Sequence, residues 1–292
     1  MKPLVLITGA AGLIGSYLLR TAARWAPHRR VYGMTRQDAD LTDERQVKVL
    51  WDRLQPQAVV HCAALSRAGR CEADPGLAHE VNVRATRRIA ELAHDRPFIF
   101  LSSDQVFDGT KGSYVETDEV RPVNVYGETK AEAERVVLRN PAHTVVRVAL
   151  TAGSSTTGDR SFVEDMRVAC RQGQPLTLFT DEFRCPLPAG AVARAVWELL
   201  NQERTGLYHL GGRERMSRWD IGLSLAQWHP ELSPCLRAGS LTDYTGPRRP
   251  ADLSMSSVKI QQVLSFRLPG FREWLASRLH AGADLWDYPG PE

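Results

Sequence analysis

Pro3-Leu-Val-Leu-Ile-Thr8 and the Gly9-Ala-Ala-Gly-Leu-Ile-Gly15 segment that follows it decide the fold of this chain. The first is a continuous apolar run, which is typical of a central parallel strand buried on both faces. Gly9 permits a tight turn, and Gly12 lets the backbone approach a pyrophosphate. Gly15 lets the next helix, whose N-terminus offers free N–H groups, pack close to the strand. The stretch predicts a dinucleotide-binding corner, although glycine required only by sterics would give the same pattern.

The end of the next predicted strand, Arg30-Val-Tyr-Gly-Met-Thr-Arg36, determines which dinucleotide is favoured. An acidic residue there would hydrogen-bond the ribose diol of NAD, whereas an arginine suits the 2′-phosphate of NADP. Arg36 therefore favours NADP. NAD stays possible, because Asp38 or Asp40 could reach back to a ribose. Asp40 and Leu41 are predicted beside the adenine.

Strand and helix patterns alternate along the first half of the chain. Further strands are predicted at Ala58–His61, Phe98–Ser103 and Thr144–Ala149, separated by a helix at about 43–54, a long helix introduced by Asp74-Pro75, and the helix that carries Lys130. Aspartate as N-cap with proline at the first helical position is a strong start signal. The alternation predicts an α/β fold with a doubly wound parallel (Rossmann) sheet, whose ligands gather at the carboxyl ends of the strands.

Beyond about residue 150, glycine, proline and arginine interrupt shorter elements. The predicted elements are helices at 160–172 and 189–201, a turn at Arg184–Pro188, a capping box at Ser217-Arg-Trp-Asp220, a rigid loop at Gly246–Pro250, a final helix at Phe271–His280 and a loose tail at Trp286–Glu292. We therefore predict an NAD(P)-binding domain at 1–150 and a smaller α/β substrate lobe at 151–292, partly interleaved with it.

Composition is typical of a soluble enzyme. The 292 residues are 43% hydrophobic and 24% charged, and the net charge is +3. No basic cluster interleaved with aromatic residues argues for nucleic acid, no apolar run is long enough for a membrane span, and a chain that opens on a strand leaves no room for a signal peptide. The five cysteines form no Cys-x-x-Cys motif. They predict reduced thiols in a cytoplasmic protein, with neither a disulfide framework nor a metal site.

The pair Tyr126 and Lys130 carries the predicted chemistry. At spacing i, i+4 on a helix the two side chains share a face. A phenol of pKa about 10 is a poor base at neutral pH, but a nearby ammonium and the positive nicotinamide of an oxidised cofactor would favour its phenolate. Lys130 would also bind the nicotinamide ribose, and Ser103 would polarise the substrate oxygen. An ordinary amphipathic helix with a buried tyrosine and a solvated lysine is the alternative.

Four segments resemble one known family. They are Thr8-Gly-x-x-Gly-x-x-Gly15, His61-Cys-Ala-Ala64, Ser102-Ser-Asp-Gln-Val-Phe-Asp-Gly109 and Pro122-Val-Asn-Val-Tyr-Gly-Glu-Thr-Lys130. Together they look like the extended short-chain dehydrogenase/reductases, and within these the dTDP-4-dehydrorhamnose reductase branch, which includes the regulatory β subunit of methionine adenosyltransferase. The resemblance implies a catalytic set of Ser103, Tyr126 and Lys130. It also implies that Ala63 and Ala64 lie along the cofactor and Arg249 near a sugar nucleotide.

Three departures from that family lie toward the substrate. Gln105 stands where the family usually has tyrosine, Leu150–Gly153 lacks the usual aromatic residues, and Arg184-Cys-Pro-Leu187 replaces a Gly-x-Pro-Thr pattern. The sequence therefore leaves the sugar undefined. The predicted substrate-binding residues are Ser103, Asp104, Gln105, Arg184 and Arg249. The predicted cofactor-binding residues are Gly9, Gly12, Leu13, Ile14, Gly15, Arg36, Asp40, Leu41, Ala63, Ala64, Tyr126 and Lys130.

The leading hypothesis is an NADP(H)-dependent reductase of a nucleotide-diphospho-4-keto sugar, a small-molecule partner. One alternative is an NAD-dependent epimerase or dehydratase of the same substrates, which uses the same tyrosine. Another is a non-catalytic NADP-binding regulatory subunit. A homodimer is left open.

Overall fold

A six-stranded parallel sheet lies at the centre of the computed structural model, which describes residues 2–279. The strand order is β2-β1-β3-β4-β5-β10, and every pairing is parallel. The strands are β1 (Leu4–Thr8), β2 (Arg30–Met34), β3 (Ala58–His61), β4 (Phe98–Ser103), β5 (His143–Val148) and β10 (Gly206–Leu210). The predicted doubly wound α/β fold is confirmed.

Helices cover the sheet and connect its strands. They are α1 (Leu13–Trp25), α2 (Glu44–Leu54), α3 (Ala68–Ala73), α4 (Pro75–His79), α5 (Ala85–Leu92), α6 (Val125–Val137), α7 (Phe162–Arg171), α8 (Ala189–Asn201), α9 (Arg218–Trp228), α10 (Val258–Gln261) and α11 (Phe271–Leu279). Within residues 2–279, none of these helices is long and apolar enough to cross a membrane. His280 and the predicted tail at Trp286–Glu292 lie outside the described residues.

The chain reverses its direction of winding around β1. All five residues of β1 are buried, as the apolar run predicts. After β1 the chain builds β2 on one side and then crosses back to place β3 on the other. Loops that leave β1 and β3 therefore separate at their carboxyl ends, which is where open α/β sheets bind ligands. We call this place the switch point.

The helix predicted after Asp74 has an unexpected interior. Asp74 caps it by accepting from the Leu77 N–H at 2.9 Å, and Pro75 stands at its first position. Between α4 and α5, however, Glu80–Arg84 forms a π-helical segment. Asn82 in this segment donates to the Leu65 carbonyl at 3.1 Å and to the Thr129 hydroxyl at 3.0 Å. The segment thus ties the loop after β3 to α6.

The second half of the chain contributes to the same sheet. β10 extends the sheet beside β5, and α8 packs against α1, where Trp197 Nε1 donates to the Leu18 carbonyl at 3.2 Å. The remaining short strands are β6 (Thr151–Ala152), β7 (Leu176–Phe179), β8 (Phe183–Arg184), β9 (Leu187–Pro188), β11 (Met216–Ser217) and β12 (Leu236–Gly239). The predicted turn at Arg184–Pro188 therefore holds parts of two strands. The domain boundary at residue 150 stays a prediction.

The expectation of five reduced thiols is wrong for one pair. Cys170 at the end of α7 and Cys235 form a disulfide, with Cα atoms 5.7 Å apart. Cys62, Cys71 and Cys185 are free. The pairing joins residues 65 positions apart, so no local cysteine motif announces it. The prediction of a cytoplasmic protein rested partly on reduced thiols, and it loses that support.

Candidate active site

In the corner between β1 and α1, Gly9 and Gly15 pack too closely against backbone atoms to carry a side chain. Gly9 has φ +67°, and a Cβ placed there would lie 2.7 Å from the backbone of Ala63. A Cβ at Gly15 would lie 2.4 Å from the Gly9 carbonyl oxygen. Gly12 is the N-cap of α1 and offers no capping side chain, and the first turn of α1 has no acidic residue. The helix N-terminus is therefore uncapped by side chains and suited to an anion such as a phosphate.

The end of β3 faces this corner across the switch point. Ala63 and Ala64 are half-buried there, and the Ala63 N–H donates to the Thr8 hydroxyl at 3.4 Å. His61, fully buried, hydrogen-bonds Thr8 and Thr86 through its two ring nitrogens, and burial lowers its pKa to about 3. It is a packing residue. Leu13 and Ile14 are half-buried at the start of α1, against the main core.

The end of β2 holds Arg36 beside two occupied carboxylates. Asp38 accepts from the Tyr32 hydroxyl at 2.6 Å and from the Thr35 N–H and hydroxyl at 2.8 Å each. Asp40 accepts from the N–H and hydroxyl of Thr42 at 2.9 and 2.8 Å. Asp38 has both oxygens engaged and Asp40 has one, whereas no hydrogen bond or ion pair among the described residues engages the exposed Arg36. Leu41 packs against a buried apolar cluster that includes Leu50 and Trp51 of α2.

The helix α6 touches the loop after β4 because Gly127 lacks a side chain. A Cβ at Gly127 would lie 2.1 Å from the Gln105 carbonyl oxygen. Asn124, the N-cap, accepts from the Gly127 N–H at 2.8 Å and donates through Nδ2 to Gln105 Oε1 at 3.0 Å. These contacts hold Tyr126 next to Ser103, the last residue of β4.

Tyr126 is buried as a protonated phenol. Its side chain is 8% exposed, and burial raises its pKa well above the ordinary value. The Ser103 hydroxyl hydrogen-bonds the phenol and opposes this shift, as does the charge of Arg184. A phenol that keeps its proton is suited to act as an acid.

Lys130 lies one helical turn further but points into the sheet. Its Nζ donates to the Leu101 carbonyl at 2.6 Å and lies 3.9 Å from the ring centre of Phe100. Burial lowers its pKa to about 7, against the opposing charge of Glu134. This differs from the expectation that the ammonium favours the phenolate. The charges acting on the pKa of Tyr126 come from Asp104, Cys71 and Arg184, because the long lysine side chain carries its ammonium to Leu101.

Behind Lys130 lies a buried ion pair that the sequence analysis missed. Glu134 and Arg147 are each 3% exposed, and Arg147 donates to both carboxylate oxygens of Glu134, at 2.7 Å from Nη2. The Ser102 hydroxyl also donates to Glu134, and Arg147 contacts His209 of β10 at 3.2 Å. The network joins α6 to β4, β5 and β10. It also keeps the Glu134 carboxylate close enough to the Lys130 ammonium to act on its pKa.

Asp104 and Arg184, both predicted to bind substrate, bind each other. Asp104 is fully buried, and its two oxygens accept from Arg184 Nε at 2.8 Å and Nη2 at 2.7 Å. The Ser103 hydroxyl lies 3.2 Å from the same carboxylate. Burial raises the pKa of Asp104, and the Arg184 charge opposes that shift. The pair therefore fixes the loop after β4 to the second half of the chain.

Arg249 joins the same region through Glu182. Its guanidinium donates to both oxygens of Glu182, at 2.8 and 3.0 Å, and Glu182 lies 3.8 Å from Arg184. Arg218, which the sequence marked only as part of a helix cap, also lies here, since Arg184, Arg249 and Glu182 all act on its pKa. The structure thus brings together Ser103, Asp104, Tyr126 and Arg184. Arg249 is connected to this group through Glu182.

The family model described as RmlD substrate binding domain matches residues 1–283. The chain belongs to this family. The resemblance to the dTDP-4-dehydrorhamnose reductase branch of the extended short-chain dehydrogenase/reductases is thereby confirmed.

The curated relatives include a reductase and a subunit of a methionine adenosyltransferase. A dTDP-4-dehydrorhamnose reductase of Aggregatibacter actinomycetemcomitans is 29% identical over 279 residues, which is 90% of this chain and 94% of the relative. A methionine adenosyltransferase 2 subunit beta of Rattus norvegicus is 30% identical over 299 residues, 97% of this chain and 87% of the relative.

Solved structures share the fold. A dTDP-4-dehydrorhamnose reductase of Clostridium acetobutylicum superposes with a TM-score of 0.85 at 24% identity, covering 95% of this chain and 99% of its own. A dTDP-4-dehydrorhamnose reductase of Bacillus anthracis in complex with NADP gives 0.84 at 21% identity, covering 95% and 98%.

Proposed function

We propose that this protein is an NADP(H)-dependent reductase of a nucleotide-diphospho-4-keto sugar. The observation that carries the proposal is the burial of Tyr126 beside Ser103 at the carboxyl end of β4, which raises the pKa of the phenol and keeps its proton in place. The substrate class is supported by the relatives' names. These include the reductase of Aggregatibacter actinomycetemcomitans and a dTDP-4-keto-6-deoxy-D-glucose reductase of Streptomyces niveus, which is 32% identical over 209 residues.

The residues at the switch point fit a dinucleotide. Gly9 and Gly15 let the backbone of the corner pack tightly against Ala63 and against itself, and the α1 N-terminus, which no side chain caps, suits the pyrophosphate. We assign Leu13, Ile14, Ala63 and Ala64 to the walls along the cofactor, and Asp40 and Leu41 to the adenine side. Arg36 would hold a 2′-phosphate, so NADP is the proposed cofactor and NAD remains possible. The NADP complex of the Bacillus anthracis reductase supports this assignment.

In the proposed reduction, a bound nicotinamide supplies the hydride to the carbonyl carbon. Tyr126 donates its phenolic proton to the carbonyl oxygen, and the Ser103 hydroxyl holds that oxygen in place. Burial keeps the proton on the phenol until transfer, and the Ser103 hydroxyl is the strongest influence that favours the phenolate, since the charge of Arg184 is outweighed by that of its partner Asp104. In its protonated form Lys130 has three N–H donors, of which one binds Leu101. We assign the others to the nicotinamide ribose.

The test is Tyr126→Phe, assayed by NADPH consumption with nucleotide-linked 4-keto-6-deoxy sugars. Loss of the proton donor is expected to lower kcat by about 10²- to 10⁴-fold, the usual contribution of general acid catalysis. NADPH binding, followed by ligand fluorescence, should persist. Net consumption of one NADPH per product distinguishes a reductase from an epimerase, which returns its cofactor.

Tyr114→Phe is the matched control. Tyr114 is also buried, but its hydroxyl bonds Asp108 at 2.6 Å, so its loss should leave kcat within a few-fold. Unchanged turnover by Tyr126→Phe would refute the proposed mechanism. Wild-type protein that binds NADPH but turns over no keto-sugar nucleotide would refute the reductase and favour a regulatory subunit.

A further inference from the structure

Three arginines from the second half of the chain surround the buried Glu182. We call Arg184, Arg218 and Arg249 the arginine cluster. Arg249 chelates both oxygens of Glu182, Arg184 approaches it to 3.8 Å, and the Arg218 backbone N–H donates to the Glu182 carbonyl at 2.8 Å. Glu182 itself is 2% exposed. Arg184 of this cluster binds the Asp104 carboxylate, which in turn lies 3.2 Å from the Ser103 hydroxyl.

The charges of this region do not cancel. Arg184 is paired with Asp104 and Arg249 with Glu182. Across residues 2–279, no hydrogen bond or ion pair engages the Arg218 guanidinium, whose one ring contact is with Phe162 at 4.9 Å. Three positive and two negative side chains leave one surplus positive charge, and it belongs to Arg218.

An unpaired guanidinium is costly when it is removed from water. Arg218 is half-buried, and burial lowers its pKa to about 10 while Glu182 opposes the shift. The group therefore stays charged at neutral pH. Such a charge is stabilised by an arriving anion, and the planar fork of arginine matches the oxygens of a phosphate. A neutral sugar ring would not compensate it.

We propose that Arg218 is the anchor for the diphosphate of the substrate, which deepens the proposed function and rests on it. Arg249 and Arg184 are held by carboxylates and shape the site, whereas Arg218 supplies the free donors. Contacts run from the Arg218 backbone through Glu182, Arg184 and Asp104 to Ser103, which lies beside Tyr126. An anion fixed at Arg218 would therefore orient the attached sugar toward the reacting phenol.

The experiment measures binding and does not depend on turnover. Isothermal titration compares wild type, Arg218→Gln and Arg218→Lys with dTDP, UDP, thymidine, inorganic pyrophosphate and NADPH. Loss of a charge-assisted bidentate contact is expected to weaken dTDP or UDP binding about 10- to 100-fold in Arg218→Gln, with Arg218→Lys between it and wild type. Thymidine and NADPH affinities should change by less than about twofold.

Arg237→Gln is the matched control. It removes an arginine of the same lobe whose guanidinium contacts only backbone carbonyls, of Pro234 and Leu236, among the described residues. Its dTDP affinity should equal that of wild type. The Arg218 side chain makes no hydrogen bond in residues 2–279 and its unpaired charge opposes folding, so its variants should melt no lower than the wild type, which is checked alongside.

The following results would overturn the inference. They are equal dTDP affinity in wild type and Arg218→Gln, an equal loss of NADPH binding, and no binding of dTDP or UDP by the wild type. Failure of the reductase proposal looks different. If Tyr126→Phe keeps its turnover while diphosphate binding depends on Arg218, the role of Arg218 is supported and the proposed role of Tyr126 as proton donor is refuted. Pyrophosphate bound as tightly as dTDP, and lost equally in Arg218→Gln, would show an anion site without nucleotide recognition and would also overturn it.

Discussion

Lys130→Met is expected to stabilise the protein while abolishing its activity. Lys130 is 1% exposed, and burial lowers its pKa from 10.5 to about 7. At about 1.4 kcal/mol per tenfold change in proton affinity, that drop corresponds to roughly 5 kcal/mol against the native state when the ammonium is charged. Methionine fills a similar volume but loses the bond to Leu101, worth about 1 kcal/mol. The net gain should be about 4 kcal/mol at pH 6.

The pH dependence of this gain identifies its cause. Native Lys130 loses its proton near pH 7, whereas a lysine in the unfolded chain keeps it to about pH 10.5. Between these values the unfolded state binds more protons, so wild-type stability rises with pH. The advantage of Lys130→Met is therefore full below pH 7 and shrinks as the pH rises toward 10.

Urea unfolding followed by tryptophan fluorescence, at pH 6, 7.5 and 9, measures the difference. Lys48→Met is the control, because Lys48 is exposed and, among the described residues, pairs only with Asp52 on its own helix. That change should alter stability by less than about 0.5 kcal/mol at every pH. The reasoning is refuted if Lys130→Met is no more stable than wild type at pH 6, or if its advantage does not vary with pH.

Two further changes test the cofactor assignment and the disulfide. Arg36→Ala is expected to weaken NADPH binding about tenfold and NADH binding less than about twofold, because it removes the cation at the end of β2; fluorescence titration with both dinucleotides measures this, and an equal loss for both would contradict it. Replacing Cys170 and Cys235 by serine is expected to lower stability by up to about 4 kcal/mol, since the bridge spans 65 residues. Coincident urea midpoints of oxidised wild type and the double variant would contradict that expectation.

Elements with strong local signals were predictable from the sequence. β3, β4 and α8 begin and end where their apolar runs and flanking residues predict. The π-helical segment at Glu80–Arg84 was not predictable, because the hydrogen bonds of Asn82 to Leu65 and Thr129 form only after tertiary packing. The Cys170 pairing was missed for the same reason.

The sequence predicted which residues form the site but not how their charged groups pair. Motif spacing brings Tyr126 to Ser103, as expected from a helix that follows β4. The bond between Asp104 and Arg184 joins residues 80 positions apart, and no local pattern reports such a contact. Nor does an i, i+4 spacing state where a lysine side chain ends. The ammonium is directed by its hydrogen bond to the Leu101 carbonyl, which forms only when α6 packs on β4.

Several buried or partly buried charged groups lie around the end of β4. Lys130 is buried with a lowered pKa, the Asp104 and Arg184 pair is buried whole, and Arg218 is half-buried without a carboxylate partner in residues 2–279. Apolar residues at such positions would often be as stable or more stable. Charges that are fixed before a substrate arrives need no reorganisation during reaction, which is how preorganised sites lower a barrier. Their concentration around Tyr126 therefore argues that stability has been given up for chemistry at the end of β4.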